Sequence, residues 1–278
     1  MKPSDYPQQE PFTEIGARYH DHVMNLGSNV TGLDIRHGDN PYQSLLVCPA
    51  DMPGAPVLCF IHGGGWTSGY KEWMVFMAPA LNNRGITFVS LGYRLAPDHV
   101  FPVGLDDCAD GVGWVYHNIA EHGGDPDRIF IGGHSAGGHY ASLLTLQNDW
   151  KTTRGLPGNI VKGALPISGT FWFGEGSGLS IRPRFLGPEE NGAEQAASPV
   201  RFVSGSDTPF LVAYGAMGFA HLKMQSERFA DRLKEHGVTV ETLELRGCDH
   251  LQASYAAGDE DGAWVNRASQ FILNKTPE

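Results

Sequence analysis

Residues 129–146 read IFIGGHSAGGHYASLLTL, and this stretch decides the fold. The apolar run Ile129–Gly132 predicts a short buried strand, and Ala136–Leu146 predicts a helix. That leaves only Gly133-His134-Ser135 to turn the chain between them. Such a sharp turn crowds the strand against the helix, so its neighbours must be small, and Gly133, Ala136, Gly137 and Gly138 are. The pattern G-x-S-x-G between a strand and a helix lifts the serine side chain out of the turn. It also sets the free N–H groups and positive dipole end of the helix behind that side chain. Ser135 is therefore the candidate nucleophile, and the Ala136 amide a candidate donor to an oxyanion. With 36 glycines in 278 residues the pattern alone could arise by chance, and the strand before and helix after give it weight.

Working upstream, His62-Gly63-Gly64-Gly65-Trp66 follows the apolar run Val57–Ile61. Glycines let backbone amides approach an oxygen without side-chain obstruction, so Gly63, Gly64 and Gly65 complete the candidate oxyanion hole. No Gly-Lys-Ser/Thr follows, which argues against a phosphate loop. Downstream, a base is expected after an acid, in the order Ser, Asp/Glu, His. His250, after the run Val238–Leu245, stands where the base belongs. His134 and His139 flank the elbow but precede any acid, and they read as supporting or pocket residues. His20-x-His22 resembles a metal pair only weakly. No metal ligand set and no cofactor motif is recognised.

The acid is the difficulty. It belongs in the loop after the run Phe210–Tyr214, yet Gly215-Ala216-Met217-Gly218-Phe219-Ala220-His221 contains no carboxylate. Glu227 and Asp231 come too late, on the following helix. An acid after the preceding strand nominates Glu175, with Asp249 and Asp207 as lesser candidates. A Ser–His pair whose imidazole is oriented only by a backbone carbonyl is the other reading.

Short apolar runs alternate with helical patterns along the rest of the chain, which predicts a single α/β domain over residues 1–278 with a mostly parallel central sheet covered on both faces. Leu33–Arg36 and Ser44–Cys48 predict an antiparallel edge pair. Helices are expected over Trp73–Arg84, Asp106–His122, Met224–His236 and Ala263–Leu273, and Asp125–Arg128 reads as a turn. Residues 1–30 read as an N-terminal arm lying on the domain. Residues 171–199, rich in Gly and Pro, read as a small lid segment. Thirty-one acidic against 20 basic residues give a formal charge of −11, which disfavours nucleic acid or an anionic membrane surface as partner. The N-terminus lacks the apolar core of a signal peptide, and Cys48, Cys59, Cys108 and Cys248 form no CxxC pair. Together these predict a cytoplasmic protein with reduced thiols and a small-molecule substrate. A homodimer is compatible with the sequence.

From about Gly38 to Phe271 the chain resembles the kynurenine formamidase (arylformamidase) and carboxylesterase branch of the α/β-hydrolases. The carriers are His62–Trp66 with Ser68-Gly69-Tyr70-Lys71, Leu91-Gly92-Tyr93-Arg94-Leu95-Ala96-Pro97, Phe101-Pro102 with Asp106-Asp107, Gly133–Gly138, and Gln225-Ser226. The resemblance implies an α/β-hydrolase fold, Ser135 as nucleophile, His250 as base and the His62–Gly65 loop as oxyanion hole. In its register the family's aspartate falls on Gly218. It implies acyl transfer through an acyl-serine, on a small aromatic amide or on a short-acyl ester. A non-hydrolytic or ligand-binding protein on the same scaffold is the reading that the missing acid favours. Trp66, Tyr70, His139, Phe171 and Trp172 are the expected substrate-binding residues, and Arg182 and Arg184 are candidates to hold a substrate carboxylate.

Overall fold

The computed structural model describes residues 1–189 and 192–274. Strands β1 (Leu33–Arg36), β2 (Ser44–Cys48), β3 (Ala55–Ile61), β4 (Thr87–Leu91), β5 (Gly124–His134), β6 (Val161–Ile167), β7 (Phe210–Gly215) and β8 (Val240–Leu245) form one sheet. Its order is β1-β2-β4-β3-β5-β6-β7-β8. The first two pairings are antiparallel and the rest parallel. Among the described residues the α-helices are α1 (Glu14–Leu26), α2 (Ala78–Asn82), α3 (Val103–Asn118), α4 (Ala136–Leu146), α5 (Asp149–Thr153), α6 (Ala193–Ala196), α7 (Ala220–Glu235), α8 (His250–Tyr255) and α9 (Ala263–Leu273). Every residue of β2, β3, β4 and β7 is buried, as strands covered on both faces must be. β1 and β8 are the half-exposed edges.

Three elements depart from expectation for local reasons. The helix predicted over Trp73–Arg84 is a 3-10 turn, Lys71–Met77, followed by α2. Pro79 has no N–H to give to residue 75, so one α-helix cannot run through it. The turn at Asp125–Arg128 lies inside β5, where the register jumps from Ala55↔Gly124 to Val57↔Ile129. It is a bulge, closed by Asp127 N donating to Asp125 Oδ1 at 2.9 Å. Helix α7 begins at Ala220 rather than Met224, because Phe219 caps it without a side-chain bond and leaves no sequence signal.

Several described residues of the segment 171–199 pack into the core. Phe171, Phe173, Phe185 and Leu186 are buried, and Phe185 stacks on Trp66 with ring centroids 4.0 Å apart. The parallel strands all point their C-terminal ends at one edge, where ligands of such sheets bind. The loops after β3, β5, β7 and β8 meet there.

Candidate active site

The turn after β5 holds Ser135 at φ 55°, ψ −117°, a strained backbone for a non-glycine residue. It is fixed by Ser135 N donating to Ile167 O at 2.9 Å and by close packing around the turn. A Cβ on Gly133 would lie 2.3 Å from the backbone of Gly137, and one on Gly137 would lie 1.9 Å from Ile61 O. The two glycines of G-x-S-x-G are thus what let β3, β5 and α4 meet.

The loop after β3 reaches the same point. A Cβ on Gly63 would sit 3.2 Å from that of Ser135. Gly64 has φ +103°, and its carbonyl accepts from Thr67 N and Ser68 N at 3.2 and 3.1 Å, which curls the loop. The loop is pinned from below by Tyr93 Oη, which donates to His62 O at 3.2 Å. The amides of Gly63, Gly64, Gly65 and Ala136 donate to no acceptor among the described residues. Free amides beside a serine oxygen are what an oxyanion needs.

His250 opens α8. Asp249 caps that helix, its carboxylate accepting from Leu251 N and Gln252 N at 2.9 and 2.8 Å. His134 Nε2 donates to His250 O at 2.9 Å, and the imidazole packs between His134 (4.6 Å) and Phe219 (4.9 Å). So held, His250 Nε2 stands 3.0 Å from Ser135 Oγ. The sequence brought His134 to notice only as a supporting residue, and the structure shows the bond by which it supports.

The other ring nitrogen has no acceptor. His250 Nδ1 is buried and without a partner among the described residues. Glu175, the expected acid, is exposed. Gly174 and Gly176, at φ +87° and +76°, swing it away from buried Phe173, and it makes no bond to His250. Asp249 is spent on the cap, and Asp207 lines a separate cleft with Asn148 and Lys151. For Nε2 to take the serine proton, Nδ1 must carry its own. A buried polar atom left without a partner costs about 1–3 kcal/mol in either tautomer, so nothing at Nδ1 selects the productive one.

A cavity of about 460 Å³ opens over Ser135 and His250, within the usual range for small-molecule sites. None of Trp66, Tyr70, His139, Phe171 and Trp172 lines it. Trp66, at φ 64°, is turned back into the core and donates from Nε1 to His139 Nδ1 at 3.1 Å. His139 Nε2 donates to Ala197 O at 2.6 Å, and Phe171 stacks on Phe229 at 4.2 Å. Tyr70 packs against Tyr6, and Trp172 lines another cleft. The walls come instead from Phe12, Ile15 and Tyr19 of the arm, together with Trp73 and Phe219. Thr13 caps α1 by accepting from Gly16 N, and Tyr19 Oη lies 2.8 Å from Ser254 Oγ, which ties the arm to α8. At the rim Arg184 pairs with Glu10, while Arg182 pairs with Glu194 at 2.9 Å away from the cavity. No local signal in the sequence marks Phe12, Ile15 and Tyr19 of the arm as wall residues.

Burial holds three histidines around the site neutral: His62 and His134 fall to a pKa of about 4 and His139 to about 3. His250 is lowered well below the usual 6.5 by burial and by nearby His134 and His221. A histidine neutral when folded binds its proton only in the unfolded chain, so stability is full above pH 6.5 and drains as pH falls toward 4. At 1.36 kcal/mol per unit, each of the three removes about 3 kcal/mol by pH 4. Thermal melts from pH 7.5 to 4 should therefore show Tm falling steeply below 6.5. A flat Tm down to pH 4.5 would contradict the buried neutral histidines.

A family model described as BD-FAE matches residues 46–163. Esterase LipQ of Mycobacterium tuberculosis (strain ATCC 25618 / H37Rv) is 31% identical over 238 residues, 78% of this chain and 56% of LipQ. Isoprenylcysteine alpha-carbonyl methylesterase ICME of Arabidopsis thaliana is 37% identical over 123 residues, 44% of this chain and 29% of its own. The chain spans 26%, 29% and 56% of the length of three such relatives. Among solved structures, the carboxylesterase EstE1 from a metagenomic library superposes with a TM-score of 0.75 at 21% identity, over 95% of this chain and 97% of that one. A Pyrobaculum calidifontis esterase gives 0.72 at 23% identity, over 97% and 94%. The chain has the α/β-hydrolase fold. The family match takes in the glycine loop and Ser135, whereas the arm and the loops after β7 and β8 lie outside it.

Proposed function

We propose that this α/β-hydrolase is a carboxylesterase that cleaves small esters through an acyl-Ser135 intermediate. The observation that carries the reading is His250 Nε2 at 3.0 Å from the oxygen of a serine held on a strained elbow, facing unpaired glycine-loop amides. In the proposed cycle His250 takes the Ser135 proton, Ser135 attacks the acyl carbon, and the amides of Gly64, Gly65 and Ala136 hold the oxyanion. His250 then returns the proton to the leaving oxygen and activates water against the acyl-enzyme. The similar proteins named as esterases support this reading.

Two features favour an ester over an amide. An amine must be protonated as it leaves, whereas a phenolate or alkoxide needs less help. An imidazolium with no carboxylate beside it, in a site that lowers its pKa, is an expensive intermediate. The five aromatic residues expected to hold an aryl amide also lie elsewhere. The cavity, walled by Phe12, Ile15 and Tyr19, suits a small apolar acyl or alkyl group.

The test pairs labelling with turnover. A fluorophosphonate should add once to the protein and not to Ser135→Ala, as read by intact mass. p-Nitrophenyl acetate and butyrate should be hydrolysed faster than p-nitroacetanilide and N-formylkynurenine. Absence of both labelling and ester turnover would move the chain to the non-hydrolytic reading. Faster turnover of the amides would restore the amidase.

A further inference from the structure

Away from Ser135, a cleft of about 560 Å³ lies between the later half of α7 and the 3-10 turn Pro199–Arg201. Its volume suits a small molecule, and it shares no lining residue with the cavity over Ser135 and His250. Backbone bonds tie its frame together. Val200 N donates to Phe171 O at 3.1 Å, and the buried Gln225 of α7 accepts from Trp172 N at 3.1 Å.

The chain has 31 acidic and 20 basic residues, yet the ionisable residues lining this cleft are Arg201, Arg228, Arg232 and His236, with no Asp or Glu. Arg228 and Arg232 stand one turn apart on α7, an i,i+4 like-charge pair that weakens a helix unless something neutralises it. Arg201 brings a third guanidinium from the turn. Arg232 meets Glu235 at 3.1 Å, an exposed contact that water and salt weaken. Arg201 and Arg228 form no ion pair among the described residues. The Arg228 guanidinium lies instead over the Trp172 ring, 6.0 Å from its centroid. Trp172 and Val200 give the cleft its apolar part. Planar guanidinium forks beside an aromatic surface match a planar anion that carries a ring.

We propose that this cleft is a second ligand site and takes an aromatic carboxylate. The ring packs against Trp172 and Val200, the carboxylate accepts from Arg201 and Arg228, and Arg232 adds its charge. An uncharged ring would forgo the arginines and a small inorganic anion would forgo the ring, so affinity needs both halves. The site works by binding alone and is independent of the Ser135–His250 pair.

The experiment titrates 1-naphthoate into the full chain by calorimetry at low ionic strength. 1-Naphthamide serves as the uncharged match, and acetate as the anion without a ring. One 1-naphthoate should bind per chain, at least about tenfold tighter than either control, because hydrogen bonds to a charged group are the strong ones. Arg201→Gln and Arg228→Gln should each weaken it about tenfold, and added sodium chloride should weaken it in the parent. Both arginines are exposed, so the variants should melt with the parent and keep its turnover of p-nitrophenyl acetate. Protein phosphonylated at Ser135 should bind 1-naphthoate as before, which separates this cleft from the cavity over the serine. If Ser135 takes no label, the arginine variants decide alone. Equal binding of the amide, affinity indifferent to both arginine variants, or loss of binding on phosphonylation would each overturn the proposal. So would the absence of binding at millimolar 1-naphthoate, and the esterase reading would survive any of these results.

Discussion

Gly137→Ala should leave little or no folded protein. The added methyl would sit 1.9 Å from Ile61 O and 2.7 Å from His62 O. Both are backbone atoms where β3 ends, and Ile61 is held between β4 and β5 by ladder pairings. Overpacked cores usually lose 1–3 kcal/mol because side chains give way. Here the obstacle is the middle of the sheet, so the loss should exceed about 4 kcal/mol, in the range reserved for the most damaging substitutions. Gly158→Ala is the control, because a Cβ there meets nothing within 4 Å. Circular dichroism melts of both purified variants decide the matter. A Gly137→Ala protein melting within a few degrees of the parent would show that the elbow can open, and the account of Ser135 as a strained, fixed residue would fail.

The loss on changing Ser135 to Ala should be about a hundredfold in kcat/KM for p-nitrophenyl acetate, far short of what a complete triad loses. Removing the serine from such a triad costs about 10⁶, removing the acid alone about 10⁴, and the losses do not add. With no carboxylate at His250 Nδ1, most of the acid's share is already missing, so about 10² remains for the serine to supply. A millionfold loss would show that something already orients His250 in solution. An unchanged rate would remove Ser135 from the chemistry.

The parts of this site that could be read in the sequence are those whose geometry is local. A strand, three residues and a helix leave Ser135 one place to go, and α4 runs over Ala136–Leu146 as its pattern predicts. The glycine loop and the position of His250 after β8 follow from the same strand rhythm. The empty loop after β7 was equally plain, because seven residues either contain a carboxylate or do not. What failed was the choice among residues whose surroundings are built from afar. Trp66 sits next to the oxyanion loop in sequence, yet its positive φ sends the ring toward Phe185. Phe171 was an aromatic in a glycine-rich stretch, and Phe229 from α7 covers it. Glu175 was a carboxylate at a suitable place in the chain, but the left-handed glycines on either side turn it to solvent. The residues that wall the cavity, Phe12 and Tyr19, lie more than a hundred positions from the serine, and only the tertiary fold joins them.

The bond between Tyr19 and Ser254 spans 235 residues, and that distance is also an interval of time. At the usual pace of translation, the arm waits on the order of ten to fifty seconds for its partner to be made. Through that interval the apolar side of α1, with Phe12 and Ile15, has no α8 to close upon. The sheet can assemble strand by strand behind it, and the elbow can form once β6 has paired with β5. A nascent chain would therefore hold its serine ready before it has a base or a wall. The arm meets Trp73 early and its partner on α8 late.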